Sequence, residues 1–169
     1  IRDRFHIIYR PVDRRDNYVK RCIGIPGDTI LIKAGVLFVN GKQLPENNTQ
    51  QTDYLVRTNG TAINPKAFER FDISLADQQK LTGGYRLPLT SENYRKISEF
   101  PNVIAVKPEY AIAGESDPAI FPNSNTLNWN LDNLGPVWIP SKGNTVKIDT
   151  SNICLYERII DVYENNDFR

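Results

Sequence analysis

Methionine is absent, histidine occurs once, and cysteine occurs twice in the 169 residues. With Ile1 in first place and no methionine anywhere, the chain is expected to be part of a longer protein, and the abrupt Arg169 end fits the same expectation. A Ser-His-Asp triad or a histidine-rich metal site would have to use His6. That residue lies inside the apolar run at residues 5–9, without a ligand-spaced partner, so it reads as structural. Cys22 and Cys154 are too few for a disulfide scaffold. Spacing leaves open whether they pair; two small buried hydrophobes is the favoured reading. The net charge of +1 supplies no field that would call for nucleic acid or an acidic lipid surface. No run approaches the roughly 18 apolar residues of a membrane span, and no signal peptide, repeat or low-complexity tract is visible.

What is present is an ordinary globular composition, 40% apolar and 24% charged. Residues 5–43 read as a β meander. Residues 18–25 are β-rich and stop at Pro26-Gly27, the chemistry of a type II turn, where proline presets φ and glycine accepts positive φ. Short strands are predicted at residues 29–33 and 36–39, followed by the hairpin signal Asn40-Gly41. From about Leu44 the character changes. A strand is predicted over 53–57, helices over 65–71, 74–80 and 90–100, and a strand over 102–106. A stretch rich in Asn, Pro and Asp covers 113–140, and a final helix runs over 150–163 with apolar residues at helical spacing. The fold class is therefore mainly β, with an inserted α+β region. Residues 1–43 belong to the β framework. Residues 44–169 form the insertion, with a possible return to the framework near the C-terminal end.

Chemistry concentrates in residues 18–28. On a strand, Tyr18, Lys20 and Cys22 share one face. A lysine between an aromatic ring and a small thiol, once buried, is pushed toward its neutral form and can then take a proton from a serine hydroxyl. Arg21 cannot do this, because its guanidinium stays charged. By residue type alone, Lys20 would more often be a solvated surface lysine.

The string Lys20-Arg21-Cys22-Ile23-Gly24-Ile25-Pro26-Gly27-Asp28 resembles the box of bacterial type I signal peptidases, where a Lys-Arg pair precedes a Gly-x-Pro-Gly-Asp sequence. Residues 29–32 and 35–42 are similar to the hairpin that follows that box. Gly135-Pro136-Val137-Trp138-Ile139-Pro140 looks like a segment of the longer enzymes of Bacteroidetes-type bacteria. The resemblance implies Lys20 as the general base of a Ser/Lys dyad, and Tyr18 and Val19 as residues lining pockets for small substrate side chains. It implies Arg21 as a structural residue held by a carboxylate of a later motif, and Pro26, Gly27 and Asp28 as a turn that fixes the strand.

The family's Ser-Met-x-Pro string is absent from this sequence, and so is its late Gly-Asp-Asn-Arg motif. All seven serines follow Lys20, and Gly114-Glu115-Ser116-Asp117 is a poor match to the late motif. The chain thus holds half a dyad and is expected to be inactive alone. The parent is expected to remove signal peptides from exported preproteins at the bacterial cytoplasmic membrane, with this region on the periplasmic, extracytoplasmic side. A span outside this region would provide the anchor. Neither metal nor organic cofactor is implied, and no nucleic-acid partner. The alternative is a non-catalytic binding module that retains the box as scaffold. A self-cleaving repressor with the same dyad fits the Pro-Gly-Asp context less well. Trp129 and Trp138 read as anchors of a long loop rather than a ligand platform, and the sequon matches at Asn47 and Asn59 carry little weight.

Overall fold

A computed structural model describes residues 20–45, 47–124 and 126–164. The expected strand at residues 5–9 and the pocket residues Tyr18 and Val19 lie outside the described residues. Two antiparallel four-stranded sheets dominate, so the chain is mainly β with a little helix. The first sheet contains β1 (Thr29–Lys33), β2 (Val36–Val39), β3 (Lys42–Gln43) and β8 (Asn133–Trp138), in the order β3-β2-β1-β8. The second contains β4 (Thr52–Thr58), β5 (Gln79–Leu81), β6 (Gly84–Leu89) and β7 (Val103–Pro108), in the order β5-β6-β4-β7. Sequence order thus leaves the first sheet after β3, builds the whole second sheet, and returns to the first at β8.

The first hairpin forms for local reasons. Ala34 and Gly35 have φ of 48° and 74°, and Asn40 and Gly41 have φ of 51° and 76°, so both turns take positive φ at both central residues. Such turns match the twist of the flanking strands. β8 carries the irregularity. Its pairing slips between Ile30↔Val137 and Ile32↔Leu134. At the slip, Gly135 has φ of 101°, and a Cβ there would stand 2.6 Å from the Ile30 carbonyl oxygen. Only glycine fits that bulge.

The second sheet carries the closed core. Tyr85, Leu87 and Leu89 alternate inward on β6 and meet Val56 of β4. The helices α1 (Pro65–Arg70) and α2 (Ser91–Ser98) cover them with Phe68 and Ile97. Each helix starts on a side-chain cap: Asn64 accepts from the Lys66 amide, and Thr90 from the Asn93 amide. Leu87 and Ile97 are fully buried, each contributing about 1.5–3 kcal/mol of apolar burial.

The structure corrects three expectations. Residues 74–80 are not a helix. Ser74 and Asp77 close one turn on themselves, Leu75 stands 87% exposed with no face to bury, and Gln79 already belongs to β5. The expected strand over 18–25 is absent from its described part, since residues 20–25 form no strand pairing. The C-terminal helix is shorter and less regular than expected: α3 (Ile153–Arg158) passes into a π-helical turn, Ile159–Tyr163, and only Tyr156 is buried. Among the described residues no helix is long and apolar enough to cross a membrane.

Candidate functional site

Asp28 organises the segment after Lys20. Its amide donates to the Ile25 carbonyl at 3.0 Å, and Gly27 has φ of 98°, so Ile25-Pro26-Gly27-Asp28 closes a β-turn with glycine at its positive-φ position. One carboxylate oxygen of Asp28 accepts from the Ile25 amide at 2.9 Å, and the other accepts from Asn40 Nδ2 at 2.7 Å. Asn40 Oδ1 in turn accepts from the Thr29 amide at 2.9 Å. One carboxylate therefore ties the Pro-Gly turn to the Asn-Gly turn. Exchange with Ile139 continues the β1–β8 ladder past the strand end: the Gly27 amide donates to Ile139 at 2.7 Å, and the Ile139 amide to Asp28 at 2.8 Å. Gly24 lies against Ile30 and Ile139, where a Cβ would approach their Cδ1 atoms at 2.6 and 2.8 Å. The side chains of those isoleucines leave no room for a larger residue without repacking.

Lys20, Arg21 and Cys22, which precede this anchored segment, are exposed. Cys22 donates to the Gly24 carbonyl at 3.0 Å. Both cysteines are unpaired, and Cys22 is not the buried hydrophobe expected of it. Among the described residues Arg21 has no ion-pair partner.

A cleft of about 190 Å³ opens where this segment faces the second sheet. Arg21 and Cys22 line one side, and Gly35 lines the hairpin edge. Tyr54, Ser91 and Tyr110 close it from the second sheet and its flanks, and Leu44, Pro45, Asn47, Gln50 and Thr52 form the floor. Among the described residues Arg21 is the only charged one lining it. Two wall residues hang from one support. Asp132 Oδ2 accepts from the Ala111 amide at 2.7 Å, next to Tyr110, and the Asp132 carbonyl accepts from the Gly35 amide at 3.0 Å. Asn133 does the same on both sides, donating to the Ala111 carbonyl at 2.9 Å and accepting from the Ala34 amide at 3.1 Å. Asn130, 3% exposed, donates to the Ile112 and Glu115 carbonyls and accepts from the Asp132 and Asn133 amides. Sequence reading missed Asn40, Tyr110 and this asparagine-rich support. Asn40 was legible only as a turn residue, and the Asn-Pro-Asp richness of 113–140 signals loops without saying what they hold.

Comparison with known proteins bears on the whole segment. The family described as "Signal peptidase, peptidase S26" matches residues 3–98. The chain belongs to this family. The match takes in the lysine box, its two turns, β1 to β3 and the second sheet as far as α2. Among curated relatives, a signal peptidase I of Bacillus caldolyticus is 49% identical over 43 residues, 25% of this chain and 24% of that protein. A probable signal peptidase I-2 of a Synechocystis strain is 31% identical over 84 residues, covering 46% and 33%. A signal peptidase I of Bacillus amyloliquefaciens is 30% identical over 112 residues, covering 63% and 52%. The chain thus spans between about a quarter and a half of the length of these relatives. No solved structure matched the chain.

Proposed function

We propose that the chain carries the lysine half of a Ser/Lys signal peptidase, with Lys20 as general base. The observation that carries this reading is the anchoring of the box. Asp28, Asn40 and Ile139 fix the backbone from Ile25 to Asp28, so the end of the box that follows Lys20 is anchored. Tyr18 and Val19 line the small-residue pockets beside it, and Arg21, Pro26, Gly27 and Asp28 hold the rim. The serine comes from a Ser-Met-x-Pro string outside this sequence, and the chain alone is inactive. The parent sits in the bacterial cytoplasmic membrane through a span outside this region and works on preprotein signal peptides on the extracytoplasmic side. Residues 1–43 are the catalytic framework. Residues 44–169 are the insertion, and β8 is its return. Because the family match runs through residue 98, β4 to β6 and the two helices are read as the family's own elaboration rather than a foreign module.

The chemistry has two steps. The serine oxygen attacks the scissile carbonyl carbon, and neutral Lys20 takes the hydroxyl proton. Collapse breaks the C–N bond, the leaving amine receives that proton, and the acyl-enzyme ester remains. Lys20 then removes a proton from water, whose oxygen attacks the ester, and the serine leaves with the proton restored. A lysine works this way only out of water, and Lys20 is exposed here. The serine segment and the bound substrate are the groups that cover it.

The parent protein, with its native flanking residues, provides the test. Cleavage of a membrane-presented preprotein after a small residue should fall on the order of 10²–10⁴-fold in Lys20→Ala. Lys20→Arg should not rescue it, since a guanidinium gives up no proton at this pH. Equal cleavage by Lys20→Ala would remove Lys20 as the base. A folded wild type that cuts nothing would favour the binding-module alternative.

A further inference from the structure

Ala111-Ile112-Ala113 is the one Ala-x-Ala in the chain, and Gly114 follows it. Alanine on either side of a single residue is the pattern at which signal peptides end. Residues 111–119 are all exposed, and Ile112 stands 65% exposed, so nothing buries this sequence. Its backbone, by contrast, is held. The Ala111 amide donates to Asp132 Oδ2 at 2.7 Å, and the Ala111 carbonyl accepts from Asn133 Nδ2 at 2.9 Å. The Ile112 carbonyl accepts from Asn130 Nδ2 at 2.8 Å and from the Glu115 amide at 3.2 Å. The Ala113–Gly114 bond therefore sits at the centre of a closed turn, with Gly114 at φ of 89°. Asn130 is itself fixed, since its Oδ1 accepts from the Asp132 and Asn133 amides. Two alanines one residue apart point to the same side only in an extended chain. Recognition of an extended segment also uses its main-chain donors and acceptors, and three of them are already taken here.

We infer that the Ala113–Gly114 bond is a latent cleavage site for the parent peptidase, cut in a second copy of the chain once the side chains of Asn130, Asp132 and Asn133 release it. The inference rests on the peptidase reading above and adds to it a substrate and the device that protects that substrate. In the hydrolysis the C–N bond between Ala113 and Gly114 breaks. Water gives its oxygen to the new Ala113 carboxylate, and a proton passes to the new Gly114 amine. The cut falls between β7 and β8, so it severs the second sheet from the strand that returns to the first. Exposure makes the sequence reachable, and the three side chains keep it out of the extended form that a peptidase reads.

The test uses the full parent enzyme as peptidase and the full parent carrying Lys20→Ala as substrate, so that every cut is made by the other copy. Mass spectrometry looks for a new carboxyl end at Ala113 and a new amino end at Gly114. Cleavage of a folded segment follows the population of its open form. Adding Asp132→Ala, which frees the Ala111 amide alone, should speed the cut about tenfold, and Asn130→Ala should speed it further. Hydrogen exchange of β4 and β6 should be unchanged in the Asp132→Ala substrate, which separates local release from unfolding. Ala113→Tyr in that substrate should abolish the cut. A preprotein whose own cut site is replaced by residues 107–119 should be cut between the same two residues. Failure to cut that preprotein while the ordinary one is cut, equal cutting with and without Asp132→Ala, or a cut that survives Ala113→Tyr would overturn the latent site and leave the peptidase reading standing. Cleavage of no preprotein by wild type would sink both.

Discussion

The two sheets are built on different principles. In the second sheet, alternate residues of β6 are sealed: Leu87 is 0% exposed, Leu89 1%, and Ile97 of the covering helix 0%. In the first sheet only Ile30 is buried, at 6%, and the remaining apolar residues of β1, β2 and β8 are half-exposed. Burial holds the second sheet. The first is held by its turns, where the Asp28 carboxylate, the Asn40 side chain and the bulge at Gly135 fix strand ends that no core fixes. The difference has a functional sense. On the proposed reading, a surface that receives a substrate and a serine segment has to stay open, and its rigidity then has to come from hydrogen bonds along its rim. The sealed sheet beside it supplies a firm wall for the cleft.

Removing core from the second sheet is the most damaging way to probe that contrast. Leu87→Ala should cost about 2–5 kcal/mol, read as a fall in the denaturant midpoint. Leu31→Ala, half-buried in the first sheet, should cost about 1 kcal/mol. Equal losses would mean that the first sheet has a core after all. Native-state hydrogen exchange sharpens the same point, with amides of β4 and β6 expected to outlast those of β1 and β2. The rim is the converse case. Asp28→Ala frees the Ile25 amide and Asn40 Nδ2, both in reach of water, and should cost about 1–2 kcal/mol. On the proposed reading its larger effect should be on preprotein cleavage by the parent, because the turn that follows the lysine box loses its anchor. A variant that unfolds no more easily yet cleaves at the wild-type rate would show that the turn does not position the lysine.

Much of this was readable from the residues alone. The Pro26-Gly27 and Asn40-Gly41 turns formed where their chemistry put them, since each needs positive φ that the next residue supplies locally. So did α1 and α2, which begin on Asn64 and Thr90 caps. Strands β6 and β8 escaped notice because each contains glycine and proline, which usually punctuate rather than extend. Pro88 is tolerated beyond the reach of β5, which pairs only with residues 84–86, so on that side β6 is an edge. Gly135 and Pro136 occupy a bulge on an edge strand. The lysine box was legible as a string, but the cleft beside it was not. Gly35, Tyr110 and Asp132 are distant in sequence, and their meeting depends on β8 returning to β1.

Titration should separate the two regions with the smallest effects. In the second-sheet region, the Lys96 hydrogen bond and charge hold Glu92 below its ordinary 4.5. Near the C-terminal helix, the Ser151 hydroxyl and amide hold Asp149 below its ordinary 3.8. A depressed carboxylate stabilises the fold above its ordinary range and loses that contribution as pH falls through its folded value. Both groups are fully exposed, so acid should loosen the fold only slightly and in both regions. Alkali is selective. Burial pushes the Tyr156 phenol above its ordinary 10.0, and its hydroxyl donates to the Trp138 carbonyl of β8 at 3.0 Å. Its stabilising contribution is complete below that ordinary value and is lost as pH rises through the folded one. Tryptophan fluorescence, to which Trp138 contributes, should therefore show an alkaline transition that Tyr156→Phe removes, while exchange protection of β4 and β6 stays unchanged through it. A transition that persists in Tyr156→Phe, or that takes β6 with it, would mean that α3 and the first sheet do not respond separately from the sealed core.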